Sequence, residues 1–133
     1  MNCSYESKAK MEVYDLSYIY ALLGETVSKA LLYIARFGDS YPTEIANNFS
    51  MNQQRVQYRM EKLEYAGILK SRLVGRTRLY RINPRYVLRN ELMNMLQKAL
   101  DYLPEDEIES NYSERRRPRA KGKTLKKYRG NAE

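Results

Sequence analysis

A chain of 133 residues with 43% hydrophobic side chains, one cysteine and no histidine has room for one compact domain and a tail. It excludes an intramolecular disulfide and lacks the residues from which most metal and acid–base sites are made. The formal net charge of +8 favours an anionic partner. No apolar run approaches the roughly 20 residues of a membrane-spanning helix, and Met1–Glu6 lacks a basic-then-apolar signal pattern, so a cytoplasmic protein with no membrane partner is expected.

Residues 1–11 are polar and patternless and are expected to be disordered. From there, Val13, Leu16, Ile19, Tyr20 and Leu23 recur at helical spacing up to Gly24. A second helix is expected over Glu25–Phe37, with Val27, Ala30, Leu31, Ile34 and Ala35 inward and Gly38-Asp39-Ser40 as its stop. Pro42 opens a short helix, Thr43–Asn48, where a missing N–H costs nothing. Ser50-Met51-Asn52 is a tight connection, with Asn52 the N-cap of a helix from Gln53 to Tyr65 or Ala66. That helix buries Val56, Met60 and Leu63, and Gly67 ends it as a left-handed cap. Two strand-like runs, Ile68–Val74 and Thr77–Ile82, are separated by Gly75-Arg76 and read as a hairpin. After Asn83-Pro84, a long amphipathic helix is expected over Tyr86–Leu103, with Leu88, Leu92, Leu96, Ala99, Leu100 and Leu103 on one stripe. Residues 104–133 then read as a flexible tail, acidic over Glu105–Glu109 and basic over Ser113–Gly130.

The positive charge is concentrated in two places. Ser110–Glu133 holds nine Lys/Arg against two Glu, and Arg55–Arg89 holds ten against Glu61 and Glu64. The second block coincides with a short helix, a turn, a second helix with a polar and basic outer face, and a hairpin with arginine at its tip. That order is a helix-turn-helix arrangement followed by a wing. The expected fold class is therefore mainly α with a small β-hairpin, a winged helix-turn-helix over residues 12–103.

The ordered set Thr43-Glu44-Ile45-Ala46, Met51-Asn52, Val56, Met60, Leu63-Glu64-Tyr65-Ala66-Gly67-Ile68-Leu69, Gly75-Arg76 and Tyr80-Arg81-Ile82 resembles winged-helix regulators of the ArsR-like group. The resemblance covers Glu25–Leu103. It implies transcriptional regulation, commonly repression, by a homodimer whose interface is built from the first and last helices. Leu16, Ile19, Leu92, Leu96 and Leu103 are the candidates for that interface. Many members of the group sense metals through Cys and His clusters, and this chain departs from them in having neither. No cofactor is expected.

The residue chemistry points to double-stranded DNA. Gln pairs bidentately with adenine and Arg with guanine in the major groove, and the expected second helix opens with Gln53, Gln54 and Arg55, then Gln57, Tyr58, Arg59 and Lys62. Gln54, Tyr58 and Glu61 point away from the core side, with Gln53, Gln57, Arg55 and Lys62 on the flanks. Arg72, Arg76 and Arg78 near the hairpin turn are candidates for phosphate or minor-groove contact, although strand alternation from Tyr80 and Ile82 turns Arg78 inward. In the tail, Arg115, Arg116, Arg117 and Arg119 suit phosphate binding without regard to sequence.

No Gly-rich phosphate loop, nucleophile elbow or zinc-protease motif is present, and no enzyme is expected. Asp101, Glu105, Asp106, Glu107 and Glu109 read as solvated, or paired with the basic tail, rather than catalytic. Three other readings stay open: a non-specific architectural DNA-binding protein, a winged-helix protein-interaction module, and an RNA-binding protein with a basic arm.

Overall fold

The computed structural model describes residues 17–115. Within them lie α1 (Ser17–Leu23), α2 (Glu25–Phe37), α3 (Pro42–Phe49), α4 (Gln53–Tyr65), β1 (Leu69–Val74), β2 (Thr77–Ile82) and α5 (Arg89–Asp101). A short turn of helix, α6 (Glu105–Glu107), runs on into a π-helical turn, Ile108–Tyr112. The described chain is mainly helical with one two-stranded antiparallel hairpin. None of its helices is long and apolar enough to cross a membrane. Val13, Leu16 and the residues beyond Arg115 lie outside the described range.

α2 is the spine. The expected inward face of Ala30, Leu31 and Ile34 is buried, but Leu32, Tyr33 and Phe37 are buried as well, and Val27 and Ala35 only partly. A single face was expected because an isolated amphipathic helix needs only one. α2 is covered on nearly all sides because α1, α3, α4, α5 and β2 all pack against it. The Ser28 hydroxyl donates to the Ile19 carbonyl at 3.1 Å, tying α1 to α2 across Gly24. Each fully buried Leu or Ile here stabilises the fold by about 1.5–3 kcal/mol.

The hairpin pairs Leu69 with Ile82, Ser71 with Tyr80, Leu73 with Arg78 and Val74 with Thr77. Its two-residue turn has a positive φ at Gly75 (64°) and not at Arg76, the pattern of a type II′ turn, which matches the right-handed twist of the strands. Gly67, at φ 88°, makes the expected left-handed exit from α4. Ser40 adds a rung that the sequence did not signal: its N–H and carbonyl exchange two 2.9 Å bonds with Tyr80, docking the hairpin on the α2–α3 loop. On the other side, Asn83 donates from its side chain to the Gly67 carbonyl at 2.9 Å and from its backbone to Ile68.

Most helix and strand ends fall within two residues of expectation, but the start of α5 does not. α5 begins at Arg89 rather than Tyr86, because Asn83–Leu88 is taken up by successive tight turns closed by Tyr86 N–H to Asn83 and Arg89 N–H to Tyr86. Leu88 consequently leaves the buried stripe and is exposed, while Leu96, Ala99, Leu100 and Leu103 are buried.

Residues 104–115, expected to be the start of a flexible tail, acidic over Glu105–Glu109 and turning basic from Ser113, are instead ordered against the domain. They form a strap folded onto the domain. Ile108 and Tyr112, four positions apart, both turn inward, and Tyr112 is fully buried, its ring 5.7 Å from that of Phe49. The Asn48 side chain donates to the Asn111 carbonyl at 3.1 Å. The acids that made this stretch look solvated occupy its outer side and its first turn, where a helix N-terminus favours negative charge.

Candidate nucleic-acid interface

α4 starts where its cap places it. Asn52 has extended backbone and its Oδ1 accepts the N–H of Arg55 at 2.9 Å, satisfying one of the orphan donors of the first turn. The preceding turn passes through Ser50 in a left-handed conformation, φ 55°, with Met51 N–H bonded to the Ala46 carbonyl. Val56 and Met60 are fully buried and Leu63 half-buried, which anchors one side of α4 to the core. Gln53, Gln54, Arg55, Gln57, Tyr58, Arg59 and Lys62 are all exposed.

Those exposed residues fall into two groups. Gln53 and Gln57, with Glu61, run along the side of α4 that faces the hairpin. Together with Pro42 and Thr43 from α3 and Leu73, Arg76, Thr77, Arg78 and Tyr80 from the hairpin, they line a cleft of about 290 Å³. Gln54, Arg55, Tyr58, Arg59 and Lys62 lie outside it. There the Tyr58 ring has the Lys62 ammonium 5.5 Å and the Arg59 guanidinium 5.9 Å from its centroid, so both cations are held beside one aromatic ring.

Inside the cleft, the Gln57 amide nitrogen donates to a Glu61 oxygen at 3.1 Å. This orients the Gln57 carbonyl as the open acceptor, and Glu61 is itself an acceptor for a cytosine-type amino group. The hairpin is held against α4 by a relay: the Ser71 hydroxyl donates to Glu64 at 2.7 Å, and Arg78 donates to that hydroxyl at 3.2 Å. Burial, reinforced by Glu64 and then Glu61, pushes the Tyr80 hydroxyl above its ordinary pKa, and Arg78 opposes them. Tyr80 therefore stays a neutral donor in the cleft wall.

Strand alternation does put Arg78 on the same side as Tyr80 and Ile82, but Arg78 is exposed rather than inward. The hairpin projects past the end of the core at that level, so its core-facing side opens onto the cleft. Arg72 is on the opposite side of the hairpin from Arg76 and Arg78's cleft, opposite Leu79 in register, and does not join them.

Other expected site residues are placed elsewhere. Arg115 does not extend toward a phosphate. Its side chain is only 10% exposed, bonded through Nε to Glu44 at 2.9 Å and through Nη2 to the Asp39 carboxylate at 2.8 Å and the Asp39 carbonyl. Its guanidinium also lies 5.6 Å from the centre of the Phe37 ring. Arg116, Arg117 and Arg119 lie outside the described residues. Of the expected dimer contacts, Ile19, Leu96 and Leu103 are buried in the chain's own core and Leu92 packs partly against it. Ile19, Leu96 and Leu103 are thus used within the chain's own core, and Leu92 keeps part of its side chain exposed. Leu16 lies outside the described residues.

Sequence reasoning missed Pro42, Thr43, Glu61, Leu73, Thr77 and Tyr80 as cleft residues. The spacing of Gln53, Gln57 and Glu61, each four apart, was a readable signal; the approach of α3 and the hairpin was not. No protein-family model matches the chain, and no curated protein matches its sequence.

Proposed function

We propose that this chain is a winged helix-turn-helix protein that reads double-stranded DNA and acts as a cytoplasmic transcriptional regulator. α3, the Ser50–Asn52 turn and α4 are the helix-turn-helix, α4 is the recognition helix, and the hairpin is the wing. The observation that carries the reading is the cleft in which Gln53 and Gln57 of α4 meet Arg76 and Arg78 of the hairpin. Groups suited to base edges and groups suited to phosphates thus converge from two elements anchored in the core by Val56 and Met60 of α4 and by Leu69, Tyr80 and Ile82 of the hairpin. The Ser40–Tyr80 rung supports it, because it seats the hairpin beside α4 in a fixed register.

In this reading the N-terminal half of α4 enters the major groove, with Gln53, Gln54, Arg55, Gln57 and Tyr58 at base edges. Arg59 and Lys62 lie beside the backbone, and Arg76 and Arg78 meet phosphates or the minor groove. A homodimer supplies two half-sites. Leu22 of α1 and Val87 and Leu88 just before α5, all exposed, are placed to contribute to it.

Selection from random duplex DNA at two salt concentrations tests the proposal. The expected result is an enriched inverted repeat with half-sites one helical turn apart, about 34–36 Å. Failure to bind duplex at either salt overturns it. The second reading, an architectural protein, is favoured by the basic run beyond Arg115; it predicts tight, unselective binding that collapses as salt rises.

A further inference from the structure

The hairpin has a second charged face. Alternation along the strands places Lys70 and Arg72 of β1 and Leu79 and Arg81 of β2 on the side turned away from the cleft. Lys70 stands directly across from Arg81, and Arg72 across from Leu79. Like charges placed directly opposite destabilise a strand pair, and among the described residues no ion pair offsets this one. Lys70, Arg72 and Arg81 are exposed, Leu79 between them is buried, and with Asp39 they line a shallow depression of about 100 Å³. Asp39 is the carboxylate placed to neutralise them, yet its oxygen is bonded to Arg115 at 2.8 Å. The fold therefore holds three cations around one depression and engages the neighbouring acid elsewhere.

We propose that this outer face of the hairpin is a second polyanion-binding surface, whose occupant is the sugar–phosphate backbone of a second DNA duplex. The inference rests on the DNA-binding reading above. One protomer then holds two duplexes, one against α4 and the cleft and one on the back of the hairpin. A duplex backbone fits this surface better than a protein does. The face offers three exposed cations and no exposed aromatic or apolar anchor of the kind that dominates protein interfaces. Opposite faces of a two-stranded sheet also point away from each other, so the duplex in the cleft is not the one that meets Lys70 and Arg81.

The test is a capture experiment with the full chain. A duplex is immobilised and saturated with protein, unbound protein is washed away, and a second, labelled duplex of unrelated sequence is added. The parent chain captures the second duplex. K70S/R72S/R81S captures about tenfold less or worse, having lost three phosphate contacts, and its capture has a salt slope shallower by about 2–3. Its affinity for the immobilised duplex changes little. R76S/R78S behaves the other way round, weakening the first binding event. Capture by the triple variant equal to that of the parent overturns the proposal, as does a parallel loss of both binding events. A parent chain that binds the first duplex but captures no second one overturns this inference alone. A parent chain that binds no duplex overturns the DNA-binding reading with it. Thermal unfolding of each variant separates lost binding from lost folding: the triple variant, relieved of the Lys70–Arg81 repulsion, is expected to be at least as stable as the parent, and R76S/R78S, which gives up the Arg78–Ser71 bond, slightly less stable.

Discussion

Arg115 Nε donates to Glu44 Oε2 across 2.9 Å, joining residues 71 positions apart in the chain. Glu44 is fully buried on α3, where its carboxylate also accepts from the Tyr33 and Ser40 hydroxyls at 2.8 and 3.0 Å. One guanidinium thus fastens the C-terminal strap to α2, to the α2–α3 loop and to the first helix of the proposed helix-turn-helix.

Arg115→Ala removes a cation from beside a buried carboxylate, which typically costs about 3–5 kcal/mol. The double variant R115M/E44Q loses less, because it removes the buried charge together with its partner. Urea unfolding measures both. Should R115A remain within about 1 kcal/mol of the parent, the strap is not anchored by this pair.

Tyr112 carries a buried hydroxyl with no hydrogen-bond partner among the described residues. An orphaned buried polar group costs about 1–3 kcal/mol, so Tyr112→Phe is expected to be as stable as the parent or up to about 1 kcal/mol more stable. Tyr112→Ala leaves a cavity under the strap and loses about 3–5 kcal/mol.

The same hydroxyl sets a pH dependence. Burial, with smaller contributions from Tyr20 and Glu107, pushes it far above its ordinary pKa of 10.0. Below that ordinary value, folded and unfolded chains both keep the proton and nothing is lost. Above it the unfolded chain releases the proton while the folded chain retains it, so stability falls as pH rises. Unfolding midpoints followed upward from pH 10 should decline less steeply for Y112F than for the parent. Identical slopes refute the assignment.

Asn52→Ala deletes the cap of α4 and is expected to cost about 1 kcal/mol with an unchanged denaturant slope. Because the cap fixes the first turn that carries Gln53 and Arg55, DNA affinity should fall beyond what the stability loss explains. Equal affinity at full folding would detach the first turn from recognition.

The two walls of the cleft should fail differently. Gln53→Ala and Gln57→Ala are expected to lose about 1–3 kcal/mol of discrimination at particular base pairs. Arg76→Ala and Arg78→Ala should weaken binding evenly across sequences and lower the salt slope by about 1 each. A base-specific loss in the arginine variants would place the wing in a reading role instead.

Much of this protein is legible in one dimension. The helical periods, the Asn52 cap, the Gly67 exit and the Gly75-Arg76 turn gave α2, α3, α4 and the hairpin within a few residues, because each depends on neighbours in the chain. The exposed side of α4 followed from Val56, Met60 and Leu63 by angle alone.

Tertiary structure decided what those elements do to one another. Ile19, Leu96 and Leu103 look the same in sequence whether they face a partner or the chain's own core, and α2 settles it by being covered on nearly every side. Residues 105–115 read as solvated acid and base, yet two inward side chains and the pairing of Arg115 with Asp39 and Glu44 fold them down. Arg72 and Arg78 are six residues apart in one basic run, and only strand pairing sends them to opposite faces. Periodicity and capping are local and are written in the sequence. Burial, charge pairing and the convergence of α4 with the hairpin depend on contacts between distant segments, which exist only once the chain has closed on its core.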